Sequence, residues 1–144
     1  MHLDRTSARR RSRRSGSVIV ELSLILLIVL SLLIGIVDIA QFLYIHQILT
    51  ERARAAVRYG VSTDPISMSD VQNMVLYGQT TGSGAGIFGL QASMVSVTMP
   101  NIHTDDYRLL IKVTNYPYTI FSPLIAGSYN GPDITASLPL GANF

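Results

Sequence analysis

The longest apolar run in the sequence extends from Val18 to Val37 and limits the folds that are open to the chain. Sixteen of its twenty residues are Val, Ile or Leu, and the other four are Glu21, Ser23, Ser31 and Gly35. Twenty residues of α-helix rise about 30 Å, the thickness of the hydrocarbon core of a bilayer. Each aliphatic residue favours insertion by about 0.3–0.6 kcal/mol, which together outweighs the cost of about 2.5–3.5 kcal/mol for one acid. The run therefore predicts a single transmembrane helix.

The segment before this run, residues 1–16, is strongly basic. It holds six arginines and one aspartate, so it carries +5, whereas the whole chain of 144 residues carries +2. Arginines that flank an apolar segment stay on the cytoplasmic side, and Arg52, Arg54 and Arg58 on the other side are fewer and more distant. We therefore expect a single crossing, with a cytoplasmic N-terminus and an exported C-terminal part.

Two other interpretations of the N-terminal region fit less well. A basic arm for nucleic acid would carry aromatic residues among its arginines and precede a recognisable binding module, and neither is found in the sequence. A secretory signal peptide would have a shorter apolar region and a small-x-small cleavage site, whereas this run continues into Gly35-Ile36-Val37-Asp38. The expected partner is therefore the lipid bilayer and not nucleic acid.

The acid inside the apolar run is Glu21, five positions after Gly16. A carboxylate within a membrane is costly and indicates a functional site by default, although its position alone leaves open a protonated or headgroup-solvated side chain. The order of basic leader, Gly16, Ser17, Glu21 and long aliphatic helix resembles a type IV prepilin. In that family a membrane aspartic peptidase cuts after the glycine. The resemblance implies Gly16 and Ser17 as the processing site, and Glu21 as an assembly residue that neutralises the new Ser17 amine.

Further residues along the helix narrow the resemblance. The segments Gly35-Ile36-Val37-Asp38, Leu43-Tyr44 and Arg54-Ala55-Ala56-Val57-Arg58-Tyr59-Gly60 are similar to the TadE-like pseudopilins of tight-adherence (Tad) secretion systems, and the resemblance covers residues 10–61. It implies a bacterial inner-membrane subunit of a pilus or secretion apparatus, with a prepilin peptidase and other pilin or pseudopilin subunits as partners. Incorporation into an extracellular pilus is compatible with it. Asp38 either marks the outer bilayer interface or makes a polar assembly contact in a filament.

The N-terminal helix is expected to continue beyond the membrane, because residues 38–59 contain no proline or glycine and Gly60 is placed as a stop. The helix from Val18 to Tyr59 would be about 63 Å long. Its outer apolar face consists of Phe42, Ile45, Leu49, Ala53 and Ala56, extended by Tyr44, Ile48 and Ala55. This face covers the chain's own sheet, which is the commoner case, or a neighbouring subunit.

Three later segments alternate apolar and polar residues with a period of two: Val95 to Met99, Arg108 to Thr114 and Ile134 to Leu140. This pattern is typical of antiparallel strands with one wet face, and Pro139 places the last strand at an edge. Between them, Pro117 and Pro123 predict that Tyr116 to Ile125 is irregular apolar cover. The predicted fold class is α+β, a long helix packed on a small three-stranded antiparallel sheet in a pilin-like lollipop shape.

The chain therefore divides into a leader at residues 1–16, a long helix at residues 17–60 with its span at about 18–37, and an exported domain at residues 61–144. Within the domain, Ser69 is a plausible N-cap for a short helix from Asp70 to Tyr77. The glycine-rich segment Gly82 to Gly89 contains G-x-G-x-x-G, but alternation typical of a strand follows it where a dinucleotide site needs a helix. A turn-forming or mobile loop is expected there.

No catalytic or metal-ligating constellation emerges from the sequence. His46 lies on the long helix as an ordinary interface residue, and His103, Asp105 and Asp106 are typical of a solvated turn. Cysteine is absent. We therefore expect no enzyme, cofactor or metal. Two functions remain, a pilin-like subunit cut after Gly16 and an uncleaved membrane-anchored binding or scaffold module of the secretion machinery.

Overall fold

The structure is a computed structural model that describes residues 6–100, 107–122 and 127–140, with side chains described from residue 16. Its helices are α1 (Thr6–Ser62) and α2 (Met68–Tyr77), and its strands are β1 (Val95–Thr98), β2 (Arg108–Val113), β3 (Pro117–Ile120), β4 (Gly127–Asn130) and β5 (Ile134–Pro139). Two 3-10 turns, Ile87–Gly89 and Ala92–Met94, lie between α2 and β1. The α+β class is confirmed.

Helix α1 has 57 residues and is therefore about 86 Å long. Every residue from 16 to 30 is exposed, and the segment Gly16–Ser62 is long and apolar enough to cross a membrane. Both serines of the apolar run are bonded within the helix: Ser23 Oγ donates to the carbonyl of Ile19 at 2.7 Å, and Ser31 Oγ donates to that of Leu27 at 2.8 Å. Since lipid offers no hydrogen-bond partner, these bonds satisfy hydroxyls that would otherwise be costly.

The three predicted strands form one antiparallel sheet in the order β1-β2-β5, so the expected edge position of the last strand is confirmed. Its register aligns the apolar residues in cross-strand rows: Val95, Val113 and Ile134, then Val97, Ile111 and Ala136, then Leu109 and Leu138. The strands end within one residue of their predicted limits. Period-two alternation therefore identified the strands and their buried face together.

The outer part of α1 and the short helix α2 cover this sheet. The buried side chains of α1 are Ile45, Leu49, Ala53, Ala56 and Val57, and those of α2 are Val71, Val75 and Leu76. They form one core with Val95, Leu109, Ile111, Val113 and Ile134 of the sheet. The apolar face of the long helix is thus the core face for the chain's own sheet, as in the commoner of the two cases.

The predicted helix stop at Gly60 is wrong, because α1 continues through this residue to Ser62. Gly60 is buried, and a Cβ on it would collide with Leu109 Cδ2 and stand 2.9 Å from Val71 Cγ2. The glycine therefore serves close packing of α1 against β2 and α2, and not termination.

The predicted N-cap of the short helix is also wrong by two positions. Helix α2 begins at Met68, and the Oγ of Ser67 accepts a hydrogen bond from the Asp70 N–H at 3.3 Å. Ser69 instead shares a hydrogen bond of 3.0 Å with the Ser67 hydroxyl. The predicted end at Tyr77 is confirmed, and Gly78 closes the helix in the left-handed conformation with φ 76°.

A second, two-stranded sheet lies where irregular structure was predicted. Strand β3 pairs antiparallel with β4, which places Tyr118 opposite Tyr129. The prediction failed because Pro117 was taken as a breaker, whereas it is the first residue of a strand, where the missing N–H is tolerated. Pro123 and Ile125 lie outside the described residues.

The glycine-rich segment forms turns, as expected. Gly84 and Gly89 have φ of 87° and 75°, and the hydroxyl of Tyr77 donates to the Gly84 carbonyl at 2.7 Å. These contacts fold the segment back on α2.

We expect Gly131→Ala to destabilise the C-terminal domain of residues 61–144. The Gly131 N–H donates to the carbonyl of Tyr116 at 2.9 Å, and a Cβ on Gly131 would enter the ring of Tyr116, which is only 1% exposed. Overpacking of this kind lowers the free energy of unfolding by about 1–3 kcal/mol. Near-UV circular dichroism of the full chain in detergent should then show a melting temperature lower by about 4–8 °C per kcal/mol.

The matched control is Gly127→Ala. A Cβ there would lie 3.2 Å from Cε2 of the exposed Tyr129 ring, so a small shift of that ring relieves the contact. Equal melting temperatures for both variants would contradict the tight packing at Gly131.

Candidate functional site

The predicted cleavage point, between Gly16 and Ser17, lies within the continuous helix α1. A Cβ on Gly16 would have no neighbour within 4 Å in the part of the chain that the structure describes, so packing there does not require a glycine. Glycine in a helix interior costs about 1 kcal/mol relative to alanine, which makes the helix locally easier to open. The residue is therefore better explained by a requirement outside the chain than by the fold.

Glu21 lies one helical turn after Ser17, on the same side of α1, and its side chain is exposed. Among the side chains described from residue 16 onward, no cation lies within ion-pair distance of its carboxylate. Ser23 and Ser31 are satisfied within the helix. In the described part of the apolar run, Glu21 is thus the polar side chain that still needs a partner.

Asp38, the residue directly after the apolar run, binds the C-terminal domain of residues 61–144. Its Oδ1 accepts a hydrogen bond from the Phe121 N–H at 2.8 Å, and its Oδ2 accepts one from the Ser122 N–H at 2.9 Å. Hydrogen bonds to a charged acceptor contribute about 1.5–3 kcal/mol each, and less where water competes. The two bonded residues follow Asp38 by 83 and 84 positions in the sequence. This contact was not predicted from the sequence.

Strand β3 follows a single stripe of α1. Asp38, Phe42 and His46 are spaced four residues apart and therefore lie on one side of the helix. Three contacts join this stripe to the strand and its flanks: His46 Nδ1 to Tyr116 Oη at 2.8 Å, the rings of Phe42 and Tyr118 with centroids 4.9 Å apart, and Asp38 to the amides of Phe121 and Ser122. The strand thus runs down α1 toward the apolar run.

The upper end of this contact is a buried tyrosine. Burial raises the pKa of Tyr116 above its ordinary value of 10.0, and the neighbouring Tyr118 raises it further. The hydroxyl therefore keeps its proton, which it donates to His46 Nδ1 when the imidazole carries its own proton on Nε2. His46 is more than an ordinary interface residue, because it is the hydrogen-bond partner of a core side chain.

The other side of α1 carries an open groove of about 530 Å³. It is lined by Tyr44, Gln47, Ile48, Glu51, Arg52, Ala55 and Arg58. Tyr44, Ile48 and Ala55, which were expected to extend the core face, therefore lie outside the core. Their side of the helix is partly covered by the chain itself, because the ring of Tyr44 meets that of Phe88 edge-on with centroids 6.2 Å apart.

The described residues contain no group of three or more His, Asp or Glu side chains that is able to hold a metal ion. The predicted turn with His103, Asp105 and Asp106 lies outside the described residues.

Comparison with known proteins adds one finding. The family model of the TadE-like protein matches residues 16–58. The chain is similar to TadE-like proteins over this segment. The resemblance inferred from the sequence is thereby confirmed, and it indicates a component of a Tad system. Neither the curated proteins nor the solved structures give a match.

The matched segment begins at Gly16 and contains Ser17, Glu21 and Asp38. It includes the apolar run and most of the part of α1 that packs on the sheet. The strands lie outside the TadE-like match, so their arrangement is known from the structure alone.

Proposed function

We propose that the chain is a pilin-like structural subunit of a Tad-type pilus or secretion apparatus. It waits in the bacterial inner membrane with residues 1–16 in the cytoplasm and the domain exported. A prepilin peptidase cuts after Gly16, and the mature chain assembles with other pilin or pseudopilin subunits through α1. The proposal involves no catalysis, cofactor or metal.

The observation that carries this proposal is that the Glu21 carboxylate has no ion-pair partner among the described side chains. It lies in a run whose serines are satisfied. Cleavage after Gly16 would create an ammonium group at Ser17, one turn away. Two opposite charges 4 Å apart attract by about 4 kcal/mol at an effective dielectric constant of 20. The cut therefore supplies the partner that Glu21 needs, on the same chain or on a neighbour.

Gly16 supports the same proposal. Among the described residues nothing prevents a side chain at this position, since a Cβ would meet none of their atoms within 4 Å. A peptidase that binds the backbone closely at the cut accounts for the glycine, because only glycine leaves that approach unobstructed.

Intact mass measurement and N-terminal sequencing of the protein from its host test the proposal. We expect a chain that begins at Ser17 in cells with an active prepilin peptidase, and a chain that keeps residues 1–16 when the peptidase is deleted. A full-length chain in both strains would reject processing and favour the second candidate.

That second candidate is an uncleaved, membrane-anchored binding or scaffold module of the secretion machinery. The groove along α1 favours it, because this face combines apolar and charged side chains and is open in the single chain. A module of this kind would retain the arginines of residues 1–16, so the same measurement separates the two functions.

A further inference from the structure

We propose that the Phe121 end of β3 rests on the outer surface of the bilayer, where the ring of Phe121 enters the lipid headgroup region and Asp38 holds this end in place. This inference depends on the membrane-spanning orientation of α1 proposed above, but not on cleavage after Gly16. The surface is defined by Phe121 on the domain and by Ile39 and Leu43 on the helix.

The position of the bilayer surface follows from the length of the apolar run. Val18 to Val37 is twenty residues long and spans about 30 Å, so its outer end coincides with the end of the hydrocarbon core. Asp38 is the next residue and lies at the base of the headgroup region. Its carboxylate holds the amides of Phe121 and Ser122 at 2.8 and 2.9 Å, so this part of the domain lies at the same depth.

Phe121 is unusually open for a phenylalanine, with 65% of its surface exposed. Complete burial of such a side chain is favourable, and the fold leaves this contribution unused. Exposed apolar side chains that form a continuous patch mark an interaction surface.

Helix α1 is apolar and exposed just above Asp38 as well. Ile39 and Leu43 are 63% and 55% exposed, and Leu43 stands about 7.5 Å above Asp38. The headgroup region is about 5–8 Å deep on each side of the bilayer, so it reaches both residues. Phe121 and these two helix residues therefore lie at the depth of the headgroup region, directly after the apolar run that lipid covers, which identifies lipid as the occupant.

The direction of the hairpin agrees with this position. Contacts of β3 and its flanks with α1 pass from His46 to Phe42 and then to Asp38, each one turn closer to the span. The Phe121 end of β3 is therefore closer to the span than its Tyr116 end.

Because the chain has no cysteine, a single labelled cysteine measures depth directly. The full chain carrying Phe121→Cys and a polarity-sensitive fluorophore is reconstituted in liposomes of phosphatidylcholine and phosphatidylglycerol. Quenching is compared between lipids with a nitroxide near the headgroup, lipids with a nitroxide at the chain end, and iodide in the outer solution. We expect strong quenching by the shallow nitroxide, weak quenching by the deep one, and protection from iodide.

Two further probes act as controls. The Asn130→Cys probe lies in the same hairpin, is exposed, and pairs with Pro117 at the far end of β3, so it should be quenched by iodide and by neither lipid. The Leu27→Cys probe, in the middle of the span, should be quenched by the deep nitroxide. If lipid does not quench the Leu27 probe, the membrane span itself is rejected.

If the Leu27 probe behaves as expected and iodide quenches the Phe121 probe as strongly as the Asn130 probe, only the docking inference fails. Protection of the Phe121 probe from iodide and from both lipids would show cover by another protein chain, which also overturns it. Adding Asp38→Ala to Phe121→Cys should restore quenching by iodide. An unchanged pattern in this double variant would overturn the role of Asp38.

Discussion

The Gly16→Val variant should contain no processed chain, whereas the wild-type protein accumulates the form that begins at Ser17. The valine side chain would stand at the residue before the cut, where the peptidase must reach the peptide carbonyl. Within the chain the substitution is harmless, because a Cβ at this position meets no atom within 4 Å. Helix propensity and the apolar run are preserved, so insertion is unchanged. Mass spectrometry of the membrane fraction measures the ratio of the two forms.

The matched control is Gly35→Val, the same substitution in the same helix. Gly35 also has free space around its Cβ position, but it lies far from the cut. We expect normal processing of this variant. If Gly16→Val and the wild type yield equal amounts of the short form, the pilin-like function is wrong, whatever the family resemblance.

The parts of the fold that the sequence predicted are those with one buried face. In β2, Leu109, Ile111 and Val113 alternate with more polar or exposed neighbours, so the pattern contains both the strand and its orientation. The outer apolar face of α1 was predicted for the same reason, since helical spacing aligns Ile45, Leu49 and Ala53.

The β3–β4 hairpin was missed because its sequence has no such pattern. Strand β4 reads Gly-Ser-Tyr-Asn and is mostly exposed, so nothing in it resembles a half-buried strand. Pro117 argued against a strand in the preceding segment as well, because proline usually interrupts a strand. The hairpin is defined by its contacts with α1, and contacts between residues 70 to 84 positions apart cannot be read from local periodicity.

One signal for this contact was nevertheless present. Asp38, Phe42 and His46 share a helical stripe, and Tyr116 and Tyr118 share a period of two. An acid, an aromatic residue and a histidine on one side of a helix suggest polar and aromatic partners, although the sequence gives no register between the two segments. Only the structure pairs His46 with Tyr116 and Asp38 with Phe121.

The structure also separates the two acids near the ends of the apolar run. Asp38, directly after the run, accepts hydrogen bonds from two backbone amides of the C-terminal domain. These bonds hold the domain on the helix. Glu21 near the inner end has no cation among the described side chains. If both residues served assembly in the same way, both would be expected to be open in the single chain. In the single chain, Asp38 thus holds the C-terminal domain on the helix, whereas Glu21 is available for the assembly contact proposed above; an assembly role for either residue stays a prediction.

Glu21→Ala should therefore remain inserted and cleaved, yet fail to assemble. Its proposed role is to neutralise the Ser17 amine of an adjacent mature chain. Removal of one member of a fully desolvated pair costs about 3–5 kcal/mol, which is more than a hundredfold in an assembly constant. Co-purification of tagged variants with wild-type partners from membranes measures this loss, and N-terminal sequencing of the same sample verifies cleavage. Ser23→Ala is the matched control, because Ser23 bonds only to the Ile19 carbonyl of its own helix.

The charge itself is tested by two milder substitutions. Glu21→Asp should assemble to an intermediate extent, since the shorter side chain keeps the charge but loses reach. Glu21→Gln keeps the size and removes the charge, so a protonated or headgroup-solvated Glu21 would be replaced without effect, whereas a paired carboxylate would not. An uncharged amide offers the neighbouring amine no compensating charge in lipid. If Glu21→Gln co-purifies with its partners at wild-type yield, the pairing role is therefore rejected. This conclusion holds even with cleavage after Gly16 established.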